Sequence, residues 1–280
     1  MDGKPIVTLS KQLLAALAAF LFLAQPGAQA QVPGVQAPPS GTQTPLRVAA
    51  AADLEPVLPP ILAEFEHSTG IHAEATFQSS ATLTTQIQNG APFDVFFSAD
   101  LGFPKRLIDA GLADAAGSAD SSTPITYARG TLVLWERKDS QLPPPSLDLL
   151  RPPSLKRLAI ANPDRAPYGR AAVAALNSLK LYDTLKPNLV TAENIAQAAQ
   201  FADTANADAG LISLTSALTP RLSADGSYFV IPRDLYPPIE QGAVIVSNTK
   251  QRDAAHKLLD FILSPAVQAE LAKSGLTPVK

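Results

Sequence analysis

The sequence predicts an α/β fold in which mostly parallel strands alternate with helices. From residue 46 onward, short apolar runs typical of buried strands alternate with segments whose apolar residues recur at helical spacing. Glycine or Asn-Gly follows several of these helical segments, where a helix commonly ends. The chain has 280 residues and no cysteine, so the fold depends on its hydrophobic core without disulfides.

The first half of the folded region contains three predicted strand–helix pairs. Apolar residues recur every three or four positions from Leu54 to Phe65, and Gly70 suits the end of that helix. Pro59 and Pro60 each remove a helix hydrogen bond, so we expect a regular helix only from about Pro60. The strands are predicted at 46–51, 72–78 and 95–98, and the helices at 54–69, 81–88 and 102–110.

Strand and helix patterns continue in the second half, where a run of prolines at 143–145 predicts a loop. Strands are predicted at 131–135, 158–161, 209–212 and 243–247, and helices at 171–179, 192–205 and 256–263. In α/β sheets of this kind, ligands bind at the carboxyl ends of strands. Residues that directly follow a strand are therefore the first candidates for a site.

The first 30 residues are predicted to be a signal peptide. Lys4 and Lys11 precede an apolar run at 13–24, which is shorter than the ~20 residues of a membrane span. The small residues around Ala30 resemble a cleavage site, so we expect an exported protein cleaved near Ala30. Without a cysteine the mature chain is not a lipoprotein, and residues 31–45, rich in Pro, Gly and Gln, are predicted to be a disordered leader.

Charge and motifs narrow the classes of function. The whole chain has a net charge of −3, and removing residues 1–30 leaves −4, which disfavours nucleic-acid binding. No nucleophile elbow, phosphate loop or metal-ligand spacing of histidines occurs, so we expect neither an enzyme nor a cofactor. A secreted enzyme stays an alternative only if Asp94, Asp100 and Asp164 converge in the fold.

Two strand-to-helix turns predict an anion site. Asp53 follows the first strand; an N-cap is its favoured role, with nearby amides pointing into a site as the functional alternative. Ser79 and Ser80 precede the second helix, and they either cap it or donate to an oxyanion. Together such turns hold an anion with N–H and hydroxyl groups, without any cationic side chain.

The loop after the strand ending at Ala161 supplies further candidates. Tyr168 is either a hydrogen-bond donor at a pocket or a packed aromatic residue. Arg165 and Arg170 are cations that could bind an anion, although arginines are common on protein surfaces. The residues of this loop do not decide between these alternatives.

Several segments, in conserved order along 46–280 of this chain, resemble the periplasmic molybdate-binding proteins of ABC transporters. They are AAAADL, FQSSATLTTQIQNGAPFDVFFSAD, ITYARGTLVLW, IANPDRAPYG and YPPIEQGAVIV. The resemblance implies a two-lobe periplasmic binding protein fold of type II, with mixed and parallel sheets flanked by helices and a hinge of crossing strands. Lobe I would contain 46–126 and 246–280, and lobe II 127–245.

The resemblance also implies a site of neutral donors for molybdate or tungstate. The donors would be Asp53, Ser80 paired with Ser79, Tyr168 and the backbone of Ile195. The ligand would pass to a membrane permease from a monomeric periplasmic protein with no cofactor and no metal-cation site.

One position departs from the family pattern. Many members place a serine or a Thr-Asn pair at the position of Ala52-Asp53, and a carboxylate repels a dianion by about 1 kcal/mol per unit charge at 4 Å in water. A receptor for sulfate, phosphate or ferric iron is therefore the alternative within the same class of proteins.

Overall fold

The computed structural model describes residues 44–115, 122–151 and 155–279, so the predicted signal peptide and the leader up to residue 43 lie outside it. The described strands are β1 (Leu46–Ala51), β2 (Ala73–Gln78), β3 (Val95–Ser98), β4 (Ala113–Asp114), β5 (Ile125–Gly130), β6 (Leu132–Arg137), β7 (Leu158–Ala161), β8 (Leu189–Ala192), β9 (Ala209–Ser213), β10 (Gly226–Val230) and β11 (Ile239–Val246). The helices are α1 (Leu58–Thr69), α2 (Ser80–Gln88), α3 (Gly102–Asp109), α4 (Pro167–Ser178), α5 (Tyr182–Leu185), α6 (Ile195–Asp203), α7 (Leu214–Ala217), α8 (Pro220–Asp225), α9 (Arg252–Ile262) and α10 (Pro265–Lys273).

The strands form two mixed sheets, which confirms the predicted fold class. The first sheet has the order β2-β1-β3-β11-β4, and β5 also pairs with β11. The second has the order β10-β6-β9-β7-β8. Neighbours of β1 and β7 run parallel, whereas β11, β6 and β10 pair antiparallel with their neighbours.

The chain passes between the two sheets twice. β5 ends at Gly130 in the first sheet, and β6 begins at Leu132 in the second. The return runs from Val230 at the end of β10 to Ile239 at the start of β11. These connections determine which strands share a sheet. The predicted lobe limits, 46–126 with 246–280 and 127–245, stay a prediction.

Each sheet carries its own aromatic core residues. In the first, Phe97 packs edge-on against Tyr127 with ring centroids 5.2 Å apart. In the second, Trp135 is fully buried, and its indole N–H donates to the carbonyl of Leu222 at 3.1 Å. Polar groups of buried aromatic residues thus have partners, as stable cores require.

Two helix starts differ from the predictions because of proline. α1 begins at Leu58, before Pro59 and Pro60, since prolines in the first turn lack only N–H groups that would have no intrahelical acceptor. α4 likewise begins at Pro167 rather than at 171, which places Tyr168 in its first turn. Gly70 ends α1 with a φ of 71°, as expected for a left-handed helix end. Within the described ranges no helix is long and apolar enough to cross a membrane.

Candidate functional site

One small cavity brings together the five residues that the family resemblance implies as ligand donors, which are Asp53, Ser79, Ser80, Tyr168 and Ile195. Its volume is about 10 Å³, close to the minimum that holds a water molecule. The carboxyl ends of β1 and β2 and the first turns of α2, α4 and α6 surround it. The lining residues are Ala51, Ala52, Asp53, Gln78, Ser79, Ser80, Ala99, Ala166, Pro167, Tyr168, Asn194 and Ile195.

The predicted N-cap role of Asp53 is wrong. Asp53 lies inside a short 3-10 turn at 52–54, whereas a cap residue must precede its helix. Its side chain is fully buried at the cavity. Carboxyl oxygen Oδ2 accepts hydrogen bonds from Gln241 Nε2 at 2.5 Å and from the Tyr168 hydroxyl at 3.2 Å. Oxygen Oδ1 has no partner among the described residues.

Burial dominates the electrostatics of this carboxyl. Removal from water raises the pKa of Asp53 from 3.8 to about 7, while the hydrogen bonds from Gln241 and Tyr168 lower that pKa in part. Burial also raises the pKa of Tyr127 and Tyr168 well above the usual range, so both phenols are neutral. Near neutral pH, Asp53 is thus divided between its acid and its carboxylate forms.

A hydrogen-bonded chain links Asp53 to the strands that connect the two sheets. Gln241, on β11, accepts from the Tyr127 hydroxyl of β5 at 2.8 Å through Oε1. Its Nε2 lies 2.5 Å from Asp53 Oδ2 and 3.3 Å from the Tyr168 hydroxyl. The sequence interpretation did not include Gln241 or Tyr127. The signal was a glutamine between Glu240 and a glycine, at the start of a strand that is apolar from 243 to 246.

Thr215 joins the Asp53 turn to the second sheet and was also missed. Its hydroxyl donates to the backbone carbonyl of Asp53 at 2.7 Å and lies 2.9 Å from Ser213 Oγ. Ser213 itself caps α7 by accepting from the N–H of Ser216. In the sequence, Thr215 is one of several hydroxyl residues at 213–219, and nothing there distinguishes it.

The two serines before α2 have different roles. Ser79 is the N-cap: its Oγ accepts from Thr82 N–H at 3.2 Å and lies 2.7 Å from Thr82 Oγ1. Ser80 is buried, and its Oγ accepts from Ala99 N–H at 3.1 Å, which leaves its own proton for another acceptor. The cap role is therefore confirmed for Ser79, and donation to an oxyanion by Ser80 stays a prediction.

Tyr168 and Ile195 reach the cavity from the second sheet. The Tyr168 side chain is 1% exposed, and its hydroxyl donates to Asp53, so the donor alternative describes it better than simple packing. Ile195 is the first residue of α6, and its N–H therefore has no intrahelical acceptor. Asn194 caps this helix by accepting from Gln197 N–H at 2.9 Å.

The two candidate arginines contact carboxylates instead of the cavity. Arg170 pairs with Asp100, and its guanidinium carbon lies 5.4 Å from the centroid of the Phe103 ring. Arg165 pairs with Glu193 at 2.6 Å. Neither arginine lines the cavity, so its donors are uncharged.

Two of the three carboxylates that could have formed an enzyme site have separate partners, and the third, Asp164, does not line the cavity. Asp94 accepts from Arg47 N–H at 2.7 Å and from the Thr249 hydroxyl at 2.5 Å, whereas Asp100 pairs with Arg170. Neither residue lines the cavity. Across the described ranges, His, Asp and Glu residues form no group of three or more that could hold a metal ion.

A larger groove of about 600 Å³ lies beside Arg47, Asp94 and Lys250. Arg47 and Asp94 lie at the amino ends of the parallel strands β1 and β3. Ligand sites of α/β sheets lie at the opposite ends of the strands. The small cavity, which contains the predicted donors, is therefore the better candidate.

Comparison with known proteins places the chain in a family. The profile described as bacterial extracellular solute-binding protein matches residues 46–277. This chain is a bacterial extracellular solute-binding protein. The solute-binding protein is 38% identical over 220 residues to the molybdate-binding protein ModA of Azotobacter vinelandii, covering 79% of this chain and 84% of that one.

Two further relatives confirm the resemblance identified from the sequence. ModA of Rhodobacter capsulatus is 37% identical to this solute-binding protein over 227 residues, covering 81% of this chain and 86% of that one. The solved structure of the Azotobacter vinelandii periplasmic molybdate-binding protein superimposes with a TM-score of 0.77 and 31% identity. That match covers 84% of this chain and all of the solved one.

Proposed function

We propose that this solute-binding protein captures molybdate or tungstate at Ser80 and Tyr168, where the lobes must open to enlarge the cavity for the ion, and delivers it to an ABC importer. The observation that carries the proposal is a buried cavity whose donors come from both sheets and are all uncharged. Hydroxyl groups and helix N-termini bind oxyanions in this way. The molybdate-binding relatives support the choice of ligand.

The proposal includes the rest of the transport cycle. The protein is exported to the periplasm and acts as a monomer, without catalysis and without a cofactor. The segments at 46–126 and 246–280 move as one lobe, and 127–245 as the other. Hinge motion at the crossing strands closes the lobes on the ligand, and the permease recognises the closed form.

Calorimetric titration of the mature protein tests the ligand. Molybdate and tungstate are expected to bind with one ion per chain, and more tightly than sulfate or phosphate. The two favoured ions are nearly equal in size, so no discrimination between them is expected. Binding of sulfate or phosphate alone would contradict the proposal and support the alternative receptor.

Ser80→Ala is expected to weaken molybdate binding by about ten- to a hundredfold. The substitution removes one buried donor, and such a loss costs about 1–3 kcal/mol. Titration calorimetry at constant pH measures the change. Thr85→Ala on the same helix is the control, because the Thr85 hydroxyl is exposed and bonds only to the carbonyl of Ala81. Equal affinity of both variants would exclude Ser80 from the site.

Arg170→Ala is expected to speed molybdate release by a few fold. Asp100 follows β3 of the first sheet and Arg170 lies on α4, so their ion pair joins the two proposed lobes. The pair is partly exposed, and such pairs contribute about 0–1 kcal/mol. Stopped-flow displacement measures the release rate.

Arg252→Ala is the matched control for loss of the Arg170–Asp100 ion pair. Arg252 pairs with Asp114 at 2.6 Å and is as exposed as Arg170, but both residues of this pair belong to the proposed lobe I. An equal effect of the two substitutions would mean that the Arg170 pair does not stabilise the closed form.

A further inference from the structure

We propose that Asp53 meets the bound oxyanion as a neutral carboxylic acid, so that capture of each dianion takes up one proton at Oδ1. This inference rests on the proposed function and adds a residue that sets both specificity and pH dependence. The proton comes from solvent, no covalent bond changes except the new O–H bond, and the acid then donates to an oxygen of the ligand. Asp53, the residue that departs from the family pattern, thereby becomes a hydrogen-bond donor to the ligand.

The geometry determines which oxygen carries the proton. Oδ2 already accepts from Gln241 Nε2 and from the Tyr168 hydroxyl. Oδ1 is buried and has no partner among the described residues, although the residue lines the cavity. A buried polar atom without a partner is costly, and a bound ligand would supply that partner. A proton on Oδ1 satisfies the carboxyl and the ligand with one hydrogen bond.

Among the residues that the structure describes, those in contact with Asp53 carry no charge that would balance a carboxylate. Tyr168 faces it from α4, Gln241 from β11 and Thr215 from α7. Tyr127 on β5 contacts Gln241 in turn. All of these groups are neutral hydroxyls or amides. A carboxylate and a dianion would therefore repel each other in a site of low dielectric constant, whereas the acid form removes that repulsion.

The acid form is accessible at physiological pH. Burial raises the pKa of Asp53 to about 7 in the free protein, and an adjacent dianion raises it further because it favours the uncharged form. Below pH 7 the free protein already carries the proton, so affinity is expected to be constant there. Above pH 7 the proton must be taken up, and affinity is expected to fall tenfold per pH unit.

Calorimetry in two buffers of different ionisation enthalpy measures this proton directly. For molybdate we expect almost no uptake at pH 6 and close to one proton per ion at pH 9. The dissociation constant is expected to rise roughly fiftyfold from pH 7 to pH 9. Asp53→Asn, which imitates the acid, is expected to show no uptake and a flat pH profile; Asp53→Ser replaces it if the Asn variant does not fold.

Glu136→Gln is the matched control. Glu136 is a buried carboxyl of β6 whose pKa is also raised by burial, but it does not line the cavity. Loss of the Glu136 carboxyl should leave the proton uptake on molybdate binding unchanged.

Tight molybdate binding at pH 9 without proton uptake would overturn the inference and leave the proposed function intact. Tighter binding of hydrogen phosphate than of molybdate would also overturn the inference, because Asp53 would then accept a hydrogen bond from the ligand's O–H as a carboxylate. Absence of molybdate binding at both pH values would overturn the proposed function as well.

Discussion

Asp53→Asn is expected to raise the free energy of unfolding at pH 8 by up to about 4 kcal/mol. The pKa of Asp53 is raised in the folded protein from 3.8 to about 7, and each unit corresponds to about 1.4 kcal/mol. As pH rises from 4 to 7, the unfolded chain releases this proton first, so the wild-type protein loses stability over that window and then stays level. Asparagine has no proton to lose.

Denaturant titration at pH 4 and pH 8 measures the effect. The Asn variant and the wild type should have similar stability at pH 4, and their difference should grow up to pH 7. Asp139→Asn is the control, because Asp139 is exposed and pairs with Arg137 at the surface. If Asp53→Asn lowered the free energy of unfolding at pH 8, the surroundings of Asp53 would have to stabilise its charged form. If the substitution raised the free energy of unfolding, the protein would be shown to keep a destabilising acid at its site, as binding sites often do.

Gly130→Ala is expected to weaken molybdate binding by about ten- to a hundredfold. A Cβ atom at this position would lie 2.2 Å from the Tyr168 hydroxyl oxygen and 2.8 Å from its ring carbon Cζ. Tyr168 is buried and its hydroxyl is the atom in closest contact, so relief of the contact moves this hydroxyl away from Asp53. Loss of a buried hydrogen bond costs about 1–3 kcal/mol. Calorimetric titration with molybdate measures the change in affinity.

Two further variants separate this effect from general damage. Gly102→Ala is the control, because its Cβ would meet Asp100 only at 3.6 Å, an ordinary contact. Tyr168→Phe removes the atom that clashes most, so adding Gly130→Ala to it should cost much less affinity than in the wild type. Fully additive losses in the double variant would mean that Gly130 acts by another route.

The sequence by itself determined the local structure and the position of the site along the chain. Apolar runs and helical spacing depend on neighbouring residues, so β1 and the end of α1 at Gly70 were predicted correctly. Capping, one of the two alternatives for the serine pair, could be predicted because it needs only the following turn, and Ser79 is the cap. The family resemblance likewise implied that Ser80 and Tyr168 belong to one site, and both line the same cavity.

Only the tertiary structure decided the direction and the charge environment of the side chains. The partners of the Asp53 carboxyl, Tyr168 and Gln241, lie 115 and 188 residues along the chain. No local pattern connects them, so a carboxyl with ordinary capping chemistry in the sequence becomes a buried acid facing a cavity. Arg170 shows the reverse: a candidate anion ligand in the sequence pairs with Asp100 in the fold. Periodicity places the backbone, but burial and distant partners set the pKa of a side chain and the ligand it can meet.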